Sequence, residues 1–347
     1  SGAAAGIEGA LTVAFTRMHR VLEIDEANLT VTAQPGVINA DLKSAVEARG
    51  LFYAPDPASY ETCTIGGNLG TNAGGLCCIK YGVTRDAVLG LEVVMADATV
   101  LRLGGKNVKD VAGYGLIPLL VGSQGTLAIV TEATLRLRPA PPPRSTLIAF
   151  FPTLEAAGDA VAGIAAAGLS PVTLELMDRT TIRAVDDVHR LGLDRDAAAM
   201  LLVESDLPGA GAAHEMAAAV PVCEAAGATQ VVLAQDAQEA DWLRQGRRLA
   251  YRALEHVAVA RMEDVGVPRS RVPQLLRAIE GIAQVLERIE VPEEAEDQRR
   301  LARGQRGAHA WDRVQQQIRE TLDVYPTVKG IQVMNDEGEY MFKSYRN

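Results

Sequence analysis

TIGGNLGTNAGGLCCIKYG, spanning Thr64–Gly82, is the segment around which the rest of this chain is organised. Gly66, Gly67, Gly70, Gly74, Gly75 and Gly82, with Ala73 among them, leave the backbone bare of large side chains. Backbone N–H groups so exposed can approach something flat and anionic. Asn68, Thr71 and Asn72 add polar side chains suited to amide or ribose hydrogen bonds. Taken alone, such a stretch reads equally as a surface loop. A second one, Gly113–Thr131, follows at short range, and two together point to one binding site.

Outward from this stretch the pattern alternates. Val21–Ile24 and Leu29–Ala33 read as strands about an Asp25–Asn28 turn. Asn39–Arg49 carries Leu42, Ala45 and Val46 at helical spacing, with Asn39 as the expected N-cap. Pro55-Asp56-Pro57 makes a stiff entry into the glycine stretch. Beyond it, Val88–Met95 and Thr99–Leu103 form an expected hairpin about Asp97-Ala98. Lys109–Gly115 reads as a loop, Leu116–Val121 as helix or strand, Gly122–Gly125 as a tight turn, and Thr126–Val130 and Thr134–Arg138 as strands.

Pro139–Pro143 is the clearest linker. After it come strands at Thr146–Phe151, Val172–Met177, Ala199–Glu204 and Thr229–Ala234. Helices are expected at Thr153–Ala167, Asp178–Val185, Glu215–Ala226, Gln238–Ala253 and Arg269–Leu286. This alternation predicts a sheet with helices on one face. From about Arg288 the composition shifts: Pro292–Arg303 is a charge-mixed run, Trp311–Leu322 a one-faced helix, and Lys329–Ser344 strand, turn and strand.

The 347 residues leave room for two domains, and 48% hydrophobic with 22% charged residues is the balance of a soluble globular chain. A net charge of −10 excludes nucleic-acid binding as the main business. No run of about 18 apolar residues appears, so no membrane span is expected. Cys63, Cys77, Cys78 and Cys223 show neither C-x-x-C spacing nor a disulfide framework. With no secretory signal legible, the expected compartment is the cytoplasm. The five histidines, His19, His189, His214, His256 and His309, include no two at metal-ligand spacing, so no metal is expected.

Ala54–Gly82 (APDPASYETCTIGGNLGTNAGGLCCIKYG) and Lys109–Pro139 (KDVAGYGLIPLLVGSQGTLAIVTEATLRLRP) together resemble the FAD-linked oxidases with a vanillyl-alcohol-oxidase-type flavin domain. The chain is most similar to glycolate oxidase catalytic subunits and D-2-hydroxyacid (D-lactate) dehydrogenases. Glu175–Ile182 (ELMDRTTI) and Glu263–Ile282 (EDVGVPRSRVPQLLRAIEGI) are similar to landmarks of that family's substrate domain. The resemblance implies an α+β, two-domain fold: a flavin-binding domain over residues 1–142, incomplete at its N-terminus, and a ferredoxin-like substrate domain over residues 143–287. Residues 288–347 are left as an unassigned helix-plus-hairpin tail; Val314–Asn347 bears a modest likeness to the opening of roadblock-type dimerisation domains.

It further implies FAD as cofactor, lined by Pro57, Thr64, Ile65, Gly66, Gly67, Asn68, Asn72, Gly74, Gly75, Tyr81 and Gly82. Gly122, Ser123, Gly125, Thr126, Ile129 and Val130 would close over its adenosine side. Arg247, in WLRQGRRLAY, matches the arginine that holds the substrate carboxylate, a task suited to a bidentate guanidinium. The implied reaction is oxidation of a small 2-hydroxy acid, of the glycolate or D-lactate class, to the 2-oxo acid by hydride transfer to flavin. An electron acceptor or iron–sulfur partner subunit, and homo- or hetero-oligomers, are compatible with it.

The chain also departs from the family. Ala4, Ala5 and Glu8 replace small polar residues and glycine in the first phosphate loop, and a carboxylate beside a pyrophosphate is repulsive. Ala98 and Ala128 stand where glycine is usual, and Cys77 where histidine is frequent. The family's histidine-rich metal segment is missing, and no base for the hydroxyl proton is identified. These departures define the rival expectation, a catalytically impaired family remnant serving as a structural or assembly subunit.

Overall fold

The computed structural model describes residue 9, residues 11–234, 244, 247, 250–256 and 265–287, and the strands at 330–334 and 340–345. For residues 282–287 and the two last strands only the backbone is described. Expectations for residues 1–8, 235–243, 257–264 and 288–329 therefore lie outside the described residues, including the phosphate loop and the Trp311–Leu322 helix.

The first domain is built on strands β1 (Val21–Asp25), β2 (Thr30–Ala33), β4 (Val88–Val94), β5 (Val100–Gly104) and β6 (Ile129–Arg136). They form one antiparallel sheet in the order β1-β2-β6-β4-β5. The two-residue strands β3 (Leu51–Phe52) and β7 (Arg138–Pro139) pair beside it. Helix α1 (Asn39–Glu47) buries Leu42 and Val46 against Val31, Ile65, Leu69, Leu91 and Leu135, the centre of this domain's core. The small aliphatic composition is visible here: every one of these side chains is Val, Leu or Ile.

Several expectations are corrected. Thr64–Gly82 is not a loop: it holds the short helices α2 (Ile65–Thr71) and α3 (Cys78–Tyr81), and α4 (Thr84–Ala87) follows. Asn39 does not cap α1; Ile38 does, because it is held extended in a bridge to Thr64, which pushes Asn39 inside the helix. The two expected strands around Thr126–Arg138 are one strand, β6, and Leu116–Leu120 is helix α5. The hairpin about Asp97-Ala98 is present, and Ala98 sits at φ 66°. That left-handed conformation favours glycine, so alanine there carries backbone strain.

The second domain is built on β8 (Ser145–Phe151), β9 (Thr173–Asp178), β10 (Ala199–Ser205) and β11 (Gln230–Leu233). These form a four-stranded antiparallel sheet in the order β11-β8-β10-β9. With helices α6 (Leu154–Ala166) after β8 and α8 (Gly211–Ala225) after β10, this is the ferredoxin-like order, and α7 (Arg179–His189) is inserted between β9 and β10. Thr153 and Asp178 cap α6 and α7 through side-chain oxygens that accept from Ala156 and Thr181 N–H.

Helices cover both faces of this sheet, not one. Leu147, Ala149, Phe151, Leu201 and Val203 point toward α6 and α8, whereas Ile148, Phe150, Met200 and Leu202 meet α7 and Ala250 and Ala253 of helical residues 250–255. Double coverage explains why AMLLVES of β10 is buried at every position and shows no alternation. The alanine- and glycine-rich α6 is thin because it lies between α8 and α9 (Val272–Glu287): a Cβ on Gly163 would stand 2.8 Å from Val222, and one on Gly158 3.0 Å from Pro273. Strands β12 (Gly330–Met334) and β13 (Tyr340–Tyr345) pair antiparallel, as the two strands expected there would, and the expected turn between them lies outside the described residues.

Candidate active site

The two glycine stretches interlock. Thr64, extended, accepts the Gly67 N–H on Oγ1 at 3.0 Å and starts α2. At the other end of α2, the carbonyls of Leu69 and Gly70 accept from Gly122 N–H (2.8 Å) and Gln124 N–H (2.9 Å) of the second stretch. Asn72 ends the helix at φ 52°, and its Oδ1 accepts the Arg85 N–H at 2.9 Å. The turn of the second stretch is closed by Thr126, whose N–H and hydroxyl both donate to the Ser123 carbonyl. Gln124 and Gly125 both adopt positive φ, and a Cβ on Gly122 would touch Asn72 Cβ at 3.3 Å.

The glycines divide into two kinds. A Cβ on Gly66 would stand 2.6 Å from Pro35 Cβ, one on Gly75 2.0 Å from the Asp56 carbonyl oxygen, and one on Gly82 2.3 Å from Asp86 Oδ2. These three are glycine because the chain's own atoms occupy the space. Gly70, Gly74 and Gly125 are different: the nearest atoms lie at 3.9 Å, 3.5 Å and beyond 4 Å. A Cβ would make only ordinary contacts at Gly70 and Gly74 and would meet no described atom at Gly125, where φ is 74°. Beside them Asn68 is buried, and its Nδ2 has no hydrogen-bond partner among the described residues. Ile65 is fully buried, Pro57 buried, Val130 half-buried and Ile129 exposed at the start of β6.

The cradle's far end meets the second domain, where α3 packs on β9. Lys80 and Tyr81, consecutive in α3, both donate to Asp206, just past β10; the Tyr81 hydroxyl reaches Oδ2 at 2.5 Å and Lys80 Nζ reaches Oδ1. Tyr81 also lies edge-on to Phe52 and beneath the Arg138 guanidinium at 4.7 Å. Burial and the Asp206 carboxylate push its phenol well above the usual range. Two residues back along the chain, Glu204 of β10 is fully buried. Its Oε2 accepts from Arg144 Nη1 at 2.9 Å and its Oε1 from Arg244 Nε at 2.9 Å and Nη2 at 2.6 Å. Burial pushes the Glu204 carboxyl up, but the Arg244 hydrogen bonds and the two guanidinium charges outweigh it and hold it below the usual range. Arg144 Nη2 also donates to Cys77 Sγ at 3.4 Å, although burial dominates that thiol and pushes it up.

Arg247, expected as the carboxylate clamp, lies one helical turn from Arg244 on the same face. Its Nη2 pairs with Glu175 Oε2 of β9 at 2.7 Å, and its buried Nε has no hydrogen-bond partner among the described residues. Burial raises the Glu175 carboxyl despite Arg247. The glycine stretches, Cys77 and α3 thus belong to the first domain and Arg247, held by Glu175, to the second, and the contacts of Asp206 and Arg144 with Lys80, Tyr81 and Cys77 join the two. Sequence reasoning missed Lys80, Arg144, Glu204, Asp206 and Arg244. The available signal was the ESD that ends an otherwise apolar central strand, since acids are buried there only with partners. Among the described residues, the His19 and His256 rings contact the backbone carbonyls of Thr16 and Arg252 within their own segments.

A pair of glycine-rich stretches beside an antiparallel sheet, joined to a ferredoxin-like sheet bearing arginines at the junction, makes a two-domain α+β architecture. The chain belongs to the FAD-linked oxidases: residues 1–104 match the FAD binding domain family and residues 140–310 the C-terminal domain of FAD linked oxidases. The glycolate oxidase subunit GlcD of Bacillus subtilis is 47% identical over 277 residues, covering 80% of this chain and 59% of that protein. GlcD of Escherichia coli is 37% identical over 285 residues, covering 82% and 57%. A D-lactate dehydrogenase of Archaeoglobus fulgidus is 33% identical over 285 residues, covering 82% and 62%. The chain thus spans about three fifths of the length of these relatives. The solved alkyldihydroxyacetonephosphate synthase shares the fold, with a TM-score of 0.56 and 22% identity over 68% of this chain and 45% of its own.

Proposed function

We propose that this chain binds FAD in the cradle and oxidises a 2-hydroxy acid of the glycolate or D-lactate class to the 2-oxo acid. The observation that carries the reading is the pair of interlocked glycine stretches, in which Gly70, Gly74 and Gly125 crowd no neighbouring backbone and the buried Asn68 amide has no hydrogen-bond partner among the described residues. Bare backbone and an orphaned buried donor fit a dinucleotide cofactor, which brings acceptors and flat rings. Pro57, Thr64, Ile65, Gly67, Asn68, Asn72, Tyr81 and the Gly122–Val130 segment would hold it, with Gly66, Gly75 and Gly82 keeping the cradle's shape. Bound FAD supplies the two-electron acceptor.

Arg247 would hold the substrate carboxylate. Glu175 fixes one edge of the guanidinium and leaves Nε with an unmet donor. In the overall reaction the substrate's Cα–H bond breaks with its electron pair, the hydroxyl proton leaves, and the C=O bond forms. The two GlcD relatives are named as subunits, and we read this chain likewise as one that passes electrons to a partner, in the cytoplasm. Among the described residues no helix is long and apolar enough to cross a membrane.

The test is anaerobic mixing of the FAD-loaded protein with glycolate or D-lactate while flavin absorbance is followed. Bleaching by one of them is expected. Arg247→Lys should raise KM for that acid by about tenfold or more, because a lysine cannot reproduce the planar fork. Flavin that stays oxidised with both acids contradicts the activity, and an unchanged KM contradicts the role of Arg247.

A further inference from the structure

We propose that Asp206 is a positioning residue: it acts through Lys80 and Tyr81 to set the flavin segment against the substrate wall. The inference rests on the flavin reading above for its catalytic consequence, but not for its geometry. Asp206 uses one carboxylate oxygen for each of two consecutive residues of α3, so it fixes both the place and the rotation of that short helix. A four-residue helix has little hydrogen bonding of its own, and its orientation depends on what grips it.

The grip is firm on the other side as well. The preceding residue, Ser205, donates to the buried Glu215 of α8, whose second oxygen accepts the Ser170 N–H at 2.8 Å. Asp206 is therefore presented from a braced corner of the second domain, with its side chain fully buried and Lys80 at 19% exposure. Shielding of this kind makes a charged hydrogen bond stiffer and stronger than a surface pair. A second tie, Arg144 Nη2 to Cys77 Sγ at 3.4 Å, runs parallel to it and buries the thiol in the same seam. Cys77 consequently reports on whether the seam is closed.

The experiment compares the parent chain with Asp206→Asn, which removes the charge facing Lys80, and Tyr81→Phe, which deletes one hydroxyl. Modification of each cysteine by a thiol reagent is timed and resolved by peptide mass spectrometry, a measurement that needs no flavin. Cys77 should react about tenfold faster in both variants, while Cys223, buried inside the second domain, keeps its parent rate. In the FAD-loaded protein kcat should fall about tenfold with KM within about threefold, as misplacement across the seam affects hydride transfer more than acid binding. Unchanged Cys77 reactivity in both variants overturns the proposal. So does a parallel rise at Cys223, which marks general unfolding, or an unchanged kcat beside an opened seam. Faster Cys77 labelling in a chain that takes up no FAD would instead support the tie and overturn the flavin reading.

Discussion

Gly75→Ala is expected to disrupt the cradle, while Gly74→Ala, one residue away, leaves the fold intact and weakens FAD binding. The difference is steric. A Cβ at Gly75 would lie 2.0 Å from the Asp56 carbonyl oxygen and 2.7 Å from the Pro57 nitrogen, and both are backbone atoms locked by neighbouring prolines. No side-chain rotation relieves that contact, so one segment must move, at a cost near the top of the overpacking range, about 3 kcal/mol. A Cβ at Gly74 meets only Val83 Cγ1 at 3.5 Å and Cys78 Sγ at 4.0 Å, ordinary contacts. Its stability should stay within about 0.5 kcal/mol of the parent. If Gly74 lines the cofactor as proposed, the added methyl should lower FAD affinity by about tenfold, equivalent to about 1.4 kcal/mol. Urea unfolding and flavin titration of the two variants check this; equal stabilities would contradict the division of the glycines into two kinds.

Glu204→Gln is the second large effect. The parent carboxylate neutralises two guanidinium groups in a fully buried position and also accepts from Thr146 Oγ1 at 3.2 Å. Replacing it by a neutral amide leaves Arg144 and Arg244 facing each other without their shared counter-charge, which costs about 3–5 kcal/mol. The sign of the pH dependence follows from its depressed folded pKa. The carboxylate's contribution is complete above the unfolded glutamate pKa of about 4.3 and is lost as pH falls through the lower folded value. The stability gap between parent and variant, measured by urea unfolding, should therefore be full at neutral pH and shrink on acidification. A gap that does not change with pH would show that shape, not charge, is what Glu204 provides.

Elements governed by local signals were legible in the sequence. The β1–β2 turn, the β4–β5 hairpin and the capped helices α6 and α7 announce themselves through turn residues, Thr153 and Asp178. The ferredoxin-like sheet followed from family resemblance, and its strand order agrees. What stayed hidden depends on tertiary partners. Asn39 looks like a cap until Ile38 is seen bridged to Thr64. Glycine spacing alone cannot separate Gly75, where the Asp56 carbonyl leaves no room for a Cβ, from Gly74, where a Cβ makes only ordinary contacts with Val83 and Cys78. Lys80 and Asp206 are 126 positions apart and meet only where the two domains touch, so no local pattern connects them. The double helical cover of the second sheet was missed because a fully buried strand such as β10 has no alternation to indicate which face is free.

The central claim is that the two interlocked glycine stretches hold FAD. Its most direct measurement is the absorbance spectrum, from the near-ultraviolet to the blue, of the chain incubated with FAD and freed of excess by gel filtration. Flavin absorbance is expected to co-elute with the parent protein and to be reduced in Gly74→Ala. A colourless parent that cannot be reconstituted would contradict the claim.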